Sequence, residues 1–150
     1  SSIGIDTKTE KFDICNENGA EFSVSPLEND LNIKIADYTK GSDLDVVIDF
    51  VSSKSSLELG ASILGKGGRL VTLGGSGEQF LANSADMLVK ELELIGSRYC
   101  TKQELKESLD LYARGLIKPL VSHKTDFSGA EELHNKIETG DITGRAGILI

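Results

Sequence analysis

The chain has 150 residues, 39% hydrophobic and 27% charged, which suits a soluble globular domain with a core of its own. A formal net charge of −8, no tryptophan and only 5% aromatic residues argue against a nucleic-acid partner, which would need a basic face or a stacking platform. No apolar run approaches the ~20 residues of a membrane span, no secretory leader precedes Ser1, and Cys15 and Cys100 stand far apart without metal-ligand spacing. The expectation is a cytoplasmic chain with two buried or half-buried free thiols and no zinc ligands.

Taken in order, Ser1–Asp6 reads as the end of a strand. Thr7-x-x-Glu10 has the spacing of a capping box and predicts a helix running to Asn18-Gly19. Glu21–Ser25 alternates as a short strand, and Pro26 opens a helix with Leu31, Ile35 and Tyr38 on one side, closed by Gly41. Asp45–Val51 and Arg69–Leu73 are apolar, β-branched runs of the kind that helices cover on both faces. Between them Ser55, with Glu58, caps a helix whose Leu57, Ala61 and Leu64 share a face, and Gly65, Gly67 and Gly68 turn the chain back. Such a crossover joins parallel strands.

Ser84 to about Lys90 follows as a short helix and Leu92–Ser97 as a strand. Thr101-x-x-Glu104 caps a helix with Leu105, Leu109, Tyr112 and Leu116 in register, ending near Gly115 and Pro119. Ser128-x-x-Glu131 caps another with Leu133 and Ile137, Gly140 ends it, and Gly147–Ile150 is a last strand. His123 precedes a turn over Lys124–Phe127 and His134 lies on a helix surface, so neither is read as a catalytic base. This alternation makes an α/β protein with a mainly parallel, doubly covered sheet.

Asp6 stands at the C-terminal end of a strand with a helix following. A carboxylate there accepts hydrogen bonds from both ribose hydroxyls of a bound dinucleotide and repels a 2′-phosphate, favouring NAD over NADP; the plainer alternative is a surface turn. No glycine-rich phosphate loop accompanies it. Gly65-Lys66-Gly67-Gly68 precedes a strand, and Gly75-Ser76-Gly77 follows one without opening a helix.

Four runs in this order, GIDTKTEKFDICNENGAEFSVS, DVVIDFVSSKSSLELGASILGKGGRLVTLGG, ELIGSRYCTKQELKESLDLYARGLIKP and GDITGRAGILI, resemble the medium-chain, zinc-type alcohol dehydrogenase family. The resemblance spans essentially the whole chain and corresponds to the C-terminal half of such an enzyme, beginning at the second strand of its nucleotide-binding domain. It implies a Rossmann-type doubly wound parallel sheet that is incomplete here, without its first strand and glycine-rich loop, and so a fragment of a longer enzyme. Residues 1–118 would then be part of an NAD-binding domain, and 119–150 a segment returning to a catalytic domain.

Carried over by position, Asp6 and Lys11 resemble the adenosine-ribose contacts, and Val51, Ser52 and Ser53 the loop flanking the adenine, where the family commonly has glycine in place of Ser52. Leu73, Gly74 and Gly75 resemble the turn at the nicotinamide ribose. Ser97, Arg98 and Tyr99 match the segment whose backbone meets the carboxamide, and Arg145 resembles the arginine paired with the pyrophosphate. The family's zinc, its ligands and its proton-relay residues lie outside this chain.

The resemblance implies an NAD-dependent alcohol dehydrogenase acting on a small alcohol or carbonyl compound, and a homodimer or homotetramer built through the Leu92–Ser97 edge strand. A zinc-free quinone or enoyl reductase of the same superfamily and a non-catalytic dinucleotide-binding module are the alternatives. A methyltransferase, which also places an acidic residue after its second strand, lacks the TGRAGI ending.

Overall fold

Every strand pair in the computed structural model, which describes residues 1–150, is parallel. In chain order the elements are β1 (Ile3–Ile5), α1 (Phe12–Glu17), β2 (Phe22–Val24), α2 (Leu31–Thr39), β3 (Leu44–Asp49), α3 (Lys54–Ile63), β4 (Leu64–Thr72), α4 (Ser84–Lys90), β5 (Glu93–Gly96), α5 (Lys102–Ala113), β6 (Val121–Thr125), α6 (Ala130–Glu138) and β7 (Arg145–Ile148). They form two units, residues 27–100 and residues 1–26 with 101–150. The sheets are β1-β2, β3-β4-β5 and β6-β7, so the incomplete sheet expected from the sequence is found as separate parallel pieces.

In the unit 27–100 the β3–α3–β4 crossover carries the core. Leu57 of α3 is buried with Leu64 and Leu70 of β4, and Val47, Ala61, Phe80 and Leu92 pack around them. At roughly 1.5–3 kcal/mol for each fully buried leucine, this cluster is the main source of cohesion here. The helix lies close to the sheet because Gly60 carries no side chain. A Cβ there would stand 2.9 Å from Leu70 Cδ1 and 3.1 Å from Val47 Cγ1. Only this face is covered within the unit; Val46 and Ile48, on the other side of β3, are about half exposed.

The crossover departs from expectation at both ends of α3. Its cap is Ser53, not Ser55. The Ser53 hydroxyl accepts from the Ser56 amide at 3.2 Å, and the Ser56 hydroxyl accepts from the Ser53 amide at 3.1 Å. At the other end the glycines do not separate helix from strand, because β4 starts at Leu64 and includes Gly65, Gly67 and Gly68. Leu44 pairs with Leu64 but Val46 with Arg69, so the glycine stretch bulges out of the ladder. Farther on, α4 begins where expected, with Asn83 Oδ1 accepting from the amides of Ala85 and Asp86.

In the other unit, β1 and β2 pair in register from Ile3↔Phe22 to Ile5↔Val24. The predicted Thr7–Glu10 capping box does not form. A 3-10 turn over Thr9–Lys11 leads into α1, and the Lys8 amide is held by Asp6 instead. Pro26 lies in a turn outside α2, which starts at Leu31. The Thr101–Glu104 box does form, with Glu104 Oε2 accepting from the Thr101 amide at 2.6 Å.

Around α6 the sequence reading is corrected twice. Lys124 and Thr125, read as the start of a turn over Lys124–Phe127, belong instead to strand β6, which pairs from Val121↔Arg145 to Thr125↔Ile148. The residue that caps the turn before α6 is Asp126, whose carboxylate accepts from the Ser128 amide at 2.9 Å, and not Ser128. Both cysteines are unbridged. Cys15 is partly buried as expected, whereas Cys100 is exposed.

Candidate functional site

The C-terminal ends of β3, β4 and β5 carry three loops, and hydrogen bonds from strand ends set their paths. Asp49, 6% exposed, ends β3. Its Oδ1 accepts from the amides of Val51 at 2.8 Å and Ser52 at 3.0 Å, and its Oδ2 accepts from the Ser56 hydroxyl at 2.7 Å. One carboxylate thus turns the 50–52 loop and anchors the first turn of α3. The sequence reading passed over Asp49; an aspartate at a strand end followed by Ser-rich turn residues is the signal that could have found it.

Ser52 is the strained member of this loop. Its φ is 56°, in the left-handed region that glycine adopts at little cost. This is a physical reason for glycine to be common at that position in the family resembled. Ser52 is 5% exposed, its hydroxyl is hydrogen-bonded to the Thr72 hydroxyl, and its carbonyl accepts from the Ser76 hydroxyl. These bonds tie the loop after β3 to the end of β4 and the loop beyond it. Ser53 caps α3, and the first amide of that helix, at Lys54, is already taken by Glu78 Oε2 at 2.7 Å.

Leu73, Gly74 and Gly75 leave the end of β4, where the Leu73 amide donates to the Asp49 carbonyl at 2.9 Å. Ser97, Arg98 and Tyr99 leave β5, where the Ser97 amide donates to the Thr72 carbonyl at 3.0 Å. These two segments, far apart in sequence, jointly line a cavity of about 390 Å³. The Arg98 guanidinium lies 4.6 Å from the centre of the Tyr99 ring, and its Nη2 donates to the Tyr99 hydroxyl at 3.0 Å. Tyr99 is itself left-handed, with a φ of 57°.

Asp6, Lys11 and Arg145 belong to the other unit. Asp6 Oδ1 accepts from the Lys8 amide at 2.9 Å, and Lys11 Nζ stands 3.3 Å from Asp6 Oδ2. The aspartate therefore does make the surface turn weighed for it, while its second oxygen faces a lysine. Arg145 is the exposed first residue of β7, and its amide donates to the Leu120 carbonyl at 2.8 Å. His134 is exposed and within 3.5 Å of Glu138, and His123 Nδ1 is 2.9 Å from the Ser122 hydroxyl. No three His, Cys, Asp or Glu side chains gather to hold a metal ion, and no helix is long and apolar enough to cross a membrane.

Residues 2–114 match the family described as zinc-binding dehydrogenase. The NAD-dependent alcohol dehydrogenase of Sulfurisphaera tokodaii is 25% identical over 143 residues, which is 95% of this chain and 41% of that protein. Among solved structures, the alcohol dehydrogenase of Aeropyrum pernix superposes with a TM-score of 0.86 at 26% identity, over 96% of this chain and 41% of its own. A short chain alcohol dehydrogenase from E. coli CFT073, solved with NADH, superposes at 0.80 and 25% identity, over 91% of this chain and 40% of its own. The chain thus spans about two fifths of the length of the proteins it matches.

Proposed function

Since the chain belongs to the zinc-binding dehydrogenase family, we propose that it carries the nicotinamide-side cofactor contacts of an NAD-dependent alcohol dehydrogenase. Residues 1–118 are read as part of the NAD-binding domain and 119–150 as the segment returning to a catalytic domain. When bound, NAD supplies the hydride chemistry; the residues of this chain bind and orient it.

The cavity between Leu73–Gly75 and Ser97–Tyr99 is the observation that carries this reading. Two loops that the family resemblance assigns to the nicotinamide end line one half-open space, and Gly74 and Gly75 present bare backbone there. In this reading Leu73 supplies an apolar wall to the ring, and the backbone of Ser97–Tyr99 meets the carboxamide. Val51, Ser52 and Ser53 border the adenine. Asp6 accepts from the adenosine-ribose hydroxyls with Lys11 beside it, and Arg145 serves the pyrophosphate. A carboxylate at Asp6 disfavours a 2′-phosphate, which supports NAD. The relative from Sulfurisphaera tokodaii, named as NAD-dependent, agrees. Zinc is implied by the family alone, and the residues of this chain do not form a site for it.

The proposed partner is a second copy of the chain. In the β3-β4-β5 sheet, β5 is an edge strand, and its Leu94 and Ile95 are each about two fifths exposed. An unpaired apolar edge of this kind is a template for strand pairing across a two-fold axis.

Fluorescence titration with NADH and NADPH tests the cofactor reading. NADH binding at least tenfold tighter than NADPH is the expected result, and a tenfold preference for NADPH would overturn it in favour of the reductase alternative. Light scattering that shows only monomer would remove the proposed dimer.

A further inference from the structure

Residues 73–83, between β4 and α4, form neither helix nor strand, yet their first half is pinned at both ends. At the near end the Leu73 amide donates to the Asp49 carbonyl at 2.9 Å. At the far end the Glu78 carboxylate accepts from the Lys54 amide at 2.7 Å. Between them the Ser76 hydroxyl donates to the Ser52 carbonyl and accepts from the Glu78 amide at 3.2 Å. The stretch between the pins, Gly74-Gly75-Ser76-Gly77, holds three glycines and has little stiffness of its own. Its path is therefore set by what it is tied to.

Glu78 makes the stronger of the far ties. Lys54 is the first residue of α3, and its amide is one of the donors a helix leaves without a partner of its own. The capping hydroxyl of Ser53 goes to the Ser56 amide and leaves Lys54 to Glu78. A carboxylate there gains from its charge and from the positive end of the helix, and such a bond is roughly twice as strong as a neutral one like that from Ser76. Farther along, Phe80 packs against the Leu57–Leu64–Leu70 cluster and the Leu81 amide donates to Glu58 Oε1 at 3.1 Å. These contacts keep the later part of the segment on α3 whatever happens at Glu78, so only residues 74–77 depend on its carboxylate.

We infer that Glu78 is a positioning residue for the nicotinamide. Its bond to the Lys54 amide holds Gly74 and Gly75 in the wall of the cavity, which Glu78 itself does not line. The inference rests on the proposed placement of the nicotinamide between Leu73–Gly75 and Ser97–Tyr99. Glu78 is exposed, so shortening its side chain opens no hole in the core.

The test measures the affinity of the full chain for NADH and for ADP-ribose, which lacks only the nicotinamide. The native chain should bind NADH at least tenfold more tightly. Glu78→Ala should lower that ratio at least threefold while ADP-ribose affinity changes by less than twofold, and the Lys54 amide should lose protection from hydrogen exchange. Glu78→Gln, which keeps an acceptor oxygen without the charge, should fall between. A merely structural role would weaken both ligands alike and leave the ratio unchanged. An unchanged ratio in Glu78→Ala, an equal loss for both ligands, or undiminished protection at Lys54 overturns the inference and leaves the cofactor reading standing. A native ratio near one, or no binding of NADH, removes the cofactor reading and this inference with it.

Discussion

A Cβ on Gly74 would stand 2.7 Å from the Ser52 hydroxyl oxygen, with the Phe50 carbonyl oxygen and the Val51 carbonyl carbon each at 2.8 Å. The turn after β4 and the loop after β3 therefore share a space that admits no side chain, and two of the three neighbours are backbone and cannot swing away. Gly74→Ala should destabilise the chain by about 1–3 kcal/mol and weaken NADH binding. Urea unfolding together with an NADH titration checks this; a variant with native stability and native binding would mean the two loops have room to part.

Ser52 brings two opposing effects to one position. The left-handed φ of 56° costs of order 1–2 kcal/mol relative to glycine, while the bond to the Thr72 hydroxyl returns about 1 kcal/mol. Ser52→Ala keeps the strain and loses the bond; Ser52→Gly loses both. Ser52→Gly should therefore be more stable than Ser52→Ala by about 1 kcal/mol and close to the native chain. Denaturation midpoints showing the alanine variant equal to or above the glycine variant would exclude this balance.

Asp49 does for its loop what a cap does for a helix. Removing its carboxylate leaves the amides of Val51 and Ser52 without their acceptor and leaves the Ser56 hydroxyl only the Ser53 carbonyl. Asp49→Ala should cost about 3 kcal/mol, and Asp49→Asn, which keeps one acceptor oxygen, about half as much. Hydrogen exchange should show the amides of Val51 and Ser52 losing protection first. Unchanged protection in Asp49→Ala would rule out the carboxylate as the organiser.

The Thr101–Glu104 capping box carries a pH dependence. The Thr101 amide and hydroxyl hold the Glu104 carboxyl below its ordinary value of 4.5. Because the folded value is depressed, the stabilisation is complete above pH 4.5 and is lost as pH falls through the lower folded value. Circular dichroism of α5 should show the first turn fraying in that acid range, with Glu104→Gln removing the carboxylate's share of the transition. An identical acid profile in Glu104→Gln would contradict it.

Elements whose signal is local were legible before the structure. The Thr101–Glu104 box, the Ser84–Lys90 helix and the parallel β3–α3–β4 crossover follow from cap chemistry and apolar runs alone. Misreadings arose where a tertiary partner decides between equivalent local choices. In the run SSKSS, Ser53 and Ser55 both have cap spacing, and the reach of Ser56 to the buried Asp49 selects Ser53. Asp6 and Asp126 each take an amide that the neighbouring Thr7 and Ser128 were expected to organise. Val121–Thr125 is polar along most of its length and becomes a strand because β7 supplies its ladder. Of the candidate site, the segments 73–75 and 97–99 could be named from the family resemblance, but not that they line one half-open cavity. The left-handed backbone at Tyr99 had no sequence signal, and at Ser52 the one hint was the glycine common there in the family resembled.

The central claim is that the nicotinamide end of NAD occupies the space between Leu73–Gly75 and Ser97–Tyr99. Amide chemical-shift maps of the chain with NADH and with ADP-ribose, which lacks only the nicotinamide, test it most directly. Subtracting one map from the other should leave shifts concentrated at Leu73, Gly74, Gly75, Ser97, Arg98 and Tyr99. A difference map that is empty there, or centred on other residues, would contradict the account.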